Sequence, residues 1–262
     1  MSQFTLTENV LVKGFEGYGA QLNQNVFAQI TRDLGVTDAH LQELPGHLRR
    51  LAPRFVRIFF DPRARHGQVP SSDDLMQSFE KTVELAQSAA SSINITWTGG
   101  GAPGTMTSFA DVLADLVANH GATKLRWVTI MNEPNSTKIS LDDYTALYQA
   151  LHHELETRGL ASQIRLMGGD LVQTNQEEWC HHLETMFDLV EAWSIHIYWK
   201  YDALGPGAKT KLVKRLTDVH RIWSGCNAGQ RSPCSSPSTA SRAPGRSSRK
   251  SSSPTGRRRR NG

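Results

Sequence analysis

The chain has 262 residues with 38% hydrophobic content, enough to bury a core and long enough for one α/β barrel or two small domains. No apolar run reaches the length of a transmembrane helix, and no basic region followed by an apolar one opens the chain, so the expectation is a cytoplasmic protein without membrane contact. The formal charge of +4 is local: nine of the 29 basic residues and none of the 25 acidic ones fall in 224–262, which leaves 1–223 at a net −5 and argues against a specific nucleic-acid surface.

Strand-like and helix-like patterns then alternate. An apolar run at 15–22 reads as the first strand, and Leu41, Leu44, Leu48 and Leu51 make the first helical stripe. The second strand is expected at 55–60, followed by a stripe of Leu75, Phe79, Val83 and Ala86. The third is expected at 93–97, and Ser108-x-x-Asp111 reads as a capping box for a helix carrying Phe109, Val112, Leu113, Leu116 and Val117. A fourth strand at 125–131 precedes Tyr144, Leu147, Tyr148, Leu151 and Leu155, with Gly159 as the helix stop. A fifth at 164–167 precedes Trp179, Leu183, Met186 and Val190. A sixth at 192–199 precedes Leu212, Leu216, Val219 and Trp223. Cys180, Cys226 and Cys234 fit neither a disulfide framework nor a zinc site, and a reducing compartment is the default. Asn94-Ile95-Thr96 and Asn135-Ser136-Thr137 match the glycosylation pattern by chance on this reading.

Strand onsets near 15, 55, 93, 125, 164 and 192 predict a parallel sheet with right-handed crossovers. The fold class is therefore α/β, a TIM (β/α)8-type barrel that is incomplete, because only six βα units carry a pattern. Two regions are expected: 1–223 as the barrel-like domain and 224–262 as a disordered tail rich in Ser, Arg, Pro and Gly. Beyond Trp223 there is no Val, Ile, Leu, Met, Phe, Tyr or Trp, so the tail has no apolar area to offset its chain entropy. It starts where a seventh strand is due. Two readings stand: a truncated or out-of-frame extension after about residue 223, and a natural disordered tail.

The chemistry centres on Asn132-Glu133-Pro134, where a strand delivers a carboxyl group to its C-terminal tip and Pro134 stops the ladder. Val56-Arg57 lies in the second strand, His196-x-Tyr198 in the sixth, and Trp199 follows. These residues resemble the clan A glycoside hydrolases, the (β/α)8 enzymes of the cellulase and xylosidase type, over about 10–223. The resemblance implies hydrolysis of the O-glycosidic bonds of a β-linked oligo- or polysaccharide by two carboxylates, by the retaining route and with no cofactor or metal. Glu133 would be the acid/base, its pKa raised by an apolar surround and a nearby like charge. Asn132 would hold the hydroxyl beside the reacting carbon. Arg57 and Tyr198 would orient the nucleophile, His196 would line the rim, and Trp199 and Trp97 would offer flat faces to sugar rings. Tyr18, Gln21 and Asn23, closing the first strand, would also reach substrate. Structural readings remain open: an ion-pair arginine for Arg57, a hydrogen-bonded interior pair for His196 and Tyr198, core packing for Trp97 and Trp193.

A second glutamate on the seventh strand is the family's nucleophile, and 224–262 contains no acidic residue. Asp170, after the fifth strand, and Asp61, after the second, are the possible substitutes. A separation of about 5–5.5 Å would suit retention and about 6.5–9.5 Å inversion. Losing the nucleophile leaves a second expectation, a catalytically dead saccharide-binding protein. A third is a polyanion binder acting through Arg257 to Arg260. Gly99-Gly100-Gly101-Ala102-Pro103-Gly104 lacks the lysine of a phosphate loop, and His152-His153-Glu154 lacks the second histidine of a zinc helix, since position 157 is Thr.

Overall fold

A computed structural model describes residues 17–68, 71–99, 101–172 and 175–198, together with Lys214, Thr217, Asp218 and Arg221, which are helical. Trp199, the tail and all four residues of the sixth helical stripe lie outside the described residues.

Six parallel strands form one sheet in chain order: β1 (Gly19–Asn23), β2 (Phe55–Phe60), β3 (Ser92–Trp97), β4 (Leu125–Ile130), β5 (Arg165–Leu171) and β6 (Ala192–Ile195). Among the described residues β1 and β6 each have one strand neighbour, so the sheet is a curled half-barrel with two open edges. The intervening helices are α1 (Gln29–Asp33), α2 (Asp38–Leu51), α3 (Pro62–Arg65), α4 (Ser72–Ala89), α5 (Thr105–Asn119), α6 (Leu141–Thr157) and α7 (Gln176–Leu183).

The core lies between the sheet and the helices. Val56, Ile58 and Phe60 of β2, Ile93, Ile95 and Trp97 of β3, and Val128 and Ile130 of β4 share the helix-facing side and are buried. Phe60 packs at a tilt against Phe79 of α4 at 4.7 Å, and Trp97 meets Phe109 of α5 at 4.8 Å between ring centroids. Every apolar residue of the stripe expected on α6 is buried. Gly159 ends that helix at φ +70°, where its N–H reaches Glu156 O and the next N–H reaches Leu155 O, a left-handed stop that glycine takes without strain.

Several expectations fail locally. The sixth strand, expected at 192–199, stops at Ile195, so His196 and Tyr198 follow it and do not lie within it. The Ser108-x-x-Asp111 capping box does not cap: α5 begins one turn earlier, after Gly104, and Ser108 lies inside the helix. The first stripe is only partly used, with Leu48 buried but Leu51 71% exposed, because α2 flanks the edge strand, where the sheet ends and offers it less to cover.

Candidate active site

Alternation along the strands sends Arg57, Asn94, Thr96 and Thr129 to the side opposite the helices, into the half-barrel's lumen. At the C-terminal tips of β4 and β5 the backbone leaves strand geometry. Met131, Glu133 and Asp170 have φ of +66°, +54° and +53°, a region that costs a non-glycine residue of the order of 1–3 kcal/mol. In β5 the pairing with β6 slips between Gly169 and Leu171, so Asp170 is the extra residue of a bulge. A bulge re-aims a side chain, and here it turns Asp170 onto the lumen residue Arg57.

Where β4 and β5 part, α6 supplies the missing hydrogen-bond partners. The Tyr148 hydroxyl accepts from Ile130 N (3.0 Å) and donates to Met167 O (2.7 Å). Tyr144 donates to Tyr148 (3.1 Å) and accepts from Gly169 N (3.2 Å). Both phenols are fully buried, and burial pushes them well above their ordinary pKa, so they stay protonated donors. Asn135, in the turn after Glu133, bonds Val172 through both ends of its amide (2.9 and 3.0 Å). With Asn135 6% and Asn94 1% exposed, neither glycosylation match is presented by the folded chain.

The site itself is one connected network. Arg57 Nε donates to Thr96 Oγ1 at 2.9 Å, Nη2 donates to Asn132 Oδ1 at 2.9 Å and to Asp170, and Nη1 lies 3.1 Å from His196 Nε2. Its guanidinium sits 4.4 Å over the Phe59 ring. His196 Nδ1 is 2.8 Å from Glu133 Oε1, and the Tyr198 hydroxyl donates to the same oxygen. The fold therefore brings together six residues expected from the sequence: Arg57, Asn132, Glu133, His196, Tyr198 and Asp170. Five further residues of the site were not expected from the sequence: Thr96, Phe59, Tyr144, Tyr148 and Asn135. Alternation along β2 and β3 is the signal that could have placed Phe59 and Thr96 on the lumen side, but nothing in the sequence points to Arg57 as their partner.

Electrostatics corrects the expected state of Glu133. Partial burial pushes the carboxyl up, but hydrogen bonds from Tyr198 and His196 and the nearby Arg57 outweigh it, and the group sits below its ordinary range. The expected raised pKa is not found, because the donors on Oε1 favour the carboxylate and no second rim carboxylate among those described opposes it. His196 is raised, chiefly by the Asp170 carboxylate, with burial opposing and Glu133 adding. Tyr198 is raised by its hydrogen bond to Glu133.

Other expected residues lie elsewhere. Trp97 does not offer a face to a sugar: it points to the helix layer and is 1% exposed, since it shares its strand face with Ile93 and Ile95. Trp193 packs over Gly168, also in the core direction. Asp170 is 1% exposed and tied to Arg57, so it is not presented to substrate as a second carboxylate. Asp61 caps α3 and pairs with Arg63 at 2.6 Å. It lines, with His66, Thr98 and Thr105, a cleft of about 590 Å³ over the tips of β2 and β3 that Glu133 does not border. Tyr18 is 80% exposed, and Gln21 and Asn23 lie level with Arg57 and Phe59 on the lumen side of β1. Among the described residues, the side chains spaced to hold a metal are Glu80, Asp115 and His120. They join α4 to the end of α5 in the helix layer, where solvent-facing ion pairs explain them.

No protein-family model matches the sequence, and no curated protein does. Sixteen chains of solved structures match the fold. A bacterial orthologue of human α-L-iduronidase is 11% identical, covering 79% of this chain and 38% of its own, with a TM-score of 0.47. CJP38, a β-1,3-glucanase and allergen of Cryptomeria japonica pollen, is 12% identical, covering 74% and 59%, with a TM-score of 0.42. The virulence factor SghA of Agrobacterium tumefaciens is 14% identical, covering 66% and 54%, with a TM-score of 0.40. The chain thus spans 38–59% of the length of these proteins. Likeness at this level concerns the fold alone and carries no argument about activity.

Proposed function

We propose that this chain carries the acid/base half of a clan A glycoside hydrolase site for a β-linked saccharide. The observation that carries the reading is the convergence on one carboxylate oxygen: His196 and Tyr198 both meet Oε1 of Glu133, at the tip of the fourth parallel strand. Arg57 fixes the preceding Asn132 by its amide oxygen, which leaves the amide nitrogen to donate to a sugar hydroxyl. In the retaining route Glu133 protonates the leaving glycosidic oxygen and then takes a proton from the attacking water. The carboxylate is ionised at rest, so the acid step needs Tyr198, 74% exposed, to release Oε1, or a like charge to enter the rim.

A second reading, saccharide binding without turnover, is favoured by the fate of the two substitute carboxylates. Asp170 is buried against Arg57 and Asp61 is occupied by Arg63. One assay separates the readings: release of the aglycone from aryl β-glycosides with poor leaving groups, with and without azide, which takes the glycosyl group as a glycosyl azide while Glu133 protonates the departing oxygen. The expected outcome is azide-dependent turnover that falls about 10²–10⁴-fold in Glu133→Gln, the usual contribution of a positioned acid. Turnover unchanged by Glu133→Gln would sink the site assignment. Saturable sugar binding with no turnover, azide present, would establish the second reading.

A further inference from the structure

Asp170 is the buried carboxylate of the network, 1% exposed and held at φ +53° in the β5 bulge. Its two oxygens face two partners. Oδ2 is bonded to Arg57 Nη2, and Oδ1 lies 3.7 Å from His196 Nε2, too far for a hydrogen bond as it stands.

The same ring nitrogen lies 3.1 Å from Arg57 Nη1. A guanidinium only donates, so this contact requires Nε2 to carry a lone pair and the proton to sit on Nδ1, where it points at Glu133. A protonated ring has an N–H at both positions. Its Nε2–H cannot face Arg57, and the nearest acceptor is Asp170 Oδ1, which a ring shift of under about 1 Å brings within bonding distance. The Nδ1–H to Glu133 contact survives in both states.

Charge balance favours the second state when a proton is available. Glu133 and Asp170 against Arg57 leave a net −1 beside a neutral ring and zero beside an imidazolium, and a poorly solvated lumen disfavours uncompensated charge. The groups facing the ring are Arg57 from β2, Glu133 from the β4 tip, Asp170 from β5 and the Tyr198 hydroxyl, 3.2 Å from Nδ1. Tyr144 and Tyr148 are raised by burial, and further by the Asp170 charge, and stay neutral phenols.

We propose that Asp170 is a positioning residue that makes His196 a two-state proton switch, Nε2 exchanging Arg57 for Asp170 as the ring charges, with Glu133 bonded to Nδ1 throughout. The inference rests on the placement of Glu133 and His196 at one site, not on hydrolysis. Its test reads the ring without substrate, so its failure and the failure of the hydrolase reading are distinguishable.

The test is a ¹⁵N and ¹H NMR titration of the His196 ring in the full chain, assigned by the signals lost in His196→Asn. Wild type is expected to titrate above the ordinary histidine value of about 6.5 and, once neutral, to hold its proton on Nδ1. In Asp170→Asn, isosteric and uncharged, the midpoint is expected to move to lower pH while the Nδ1–H tautomer persists through Arg57. A midpoint unchanged in Asp170→Asn would overturn the switch. If that variant does not fold, wild type alone decides: a neutral ring protonated on Nε2, or a midpoint at or below 6.5, overturns the proposal.

Discussion

The two faces of the sheet are made by the same strands and obey different physics. The buried residues on the helix-facing side of β2, β3 and β4 are aliphatic and aromatic, Phe60, Trp97 and Ile130 among them, and none is charged. The lumen side carries Arg57, Asn94, Thr96, Thr129, Asp170 and His196, joined by hydrogen bonds between side chains. Burial on the first face is non-directional, so its residues contribute by area and packing. On the second face each group depends on one or two partners, and losing a partner strands the other in a poorly solvated site. A substitution on the helix side should cost stability roughly in proportion to volume. One on the lumen side should be rescued or worsened by a second substitution across the network.

Arg57→Ala is the largest expected break, about 3–5 kcal/mol of unfolding free energy in urea, because it leaves Asp170 buried without its cation. Adding Asp170→Asn to Arg57→Ala should return part of that loss. Purely additive losses would dissolve the distinction between the faces. Trp97→Ala should cost a similar 3–5 kcal/mol through the cavity left against Phe60 and Phe109, with no second-site rescue from the lumen. Tyr148→Phe is smaller, about 1–3 kcal/mol, since Ile130 N–H and Met167 C=O lose their shared hydroxyl while packing is kept.

Smallest is the pH dependence, to which, of the two faces of the sheet, only the lumen side contributes. The folded His196 value lies above its unfolded one near 6.5, so its stabilisation is complete below about 6.5 and fades as pH rises through the folded value. Glu133 has the opposite sign: its contribution is present above the unfolded value near 4.5 and is lost as pH falls through the lower folded one. Urea midpoints measured from about pH 2.5 to 9 should fall at both ends, and His196→Asn should remove the alkaline decline selectively.

Much of the barrel was legible because its signals are local. The fourth strand was expected at 125–131 and ends at Ile130, one residue before the left-handed Met131. The α6 stripe and its Gly159 stop lie where periodicity put them. The capping box failed because a serine three residues before an acid recurs inside helices. A glycine-rich loop started α5 a turn earlier than the motif implied. Asp170 was legible as a carboxylate after the fifth strand, but its burial was not. That depends on a bulge whose register is set by pairing with β6, a contact across chain segments. Trp97 was open between core and substrate, and its parity with Ile93 and Ile95 decides for the core.

By itself the sequence determined the order of the six strands and of helices α2 and α4 to α7, the parallel sheet, and the strand tip on which Glu133 sits, because hydrophobic period and turn chemistry are properties of neighbouring residues. Only the tertiary structure decided which groups meet Glu133 and what charge it carries. The partners come from residues 57, 170, 196 and 198, and a carboxyl's proton affinity follows the donors within hydrogen-bonding reach, whatever their distance along the chain.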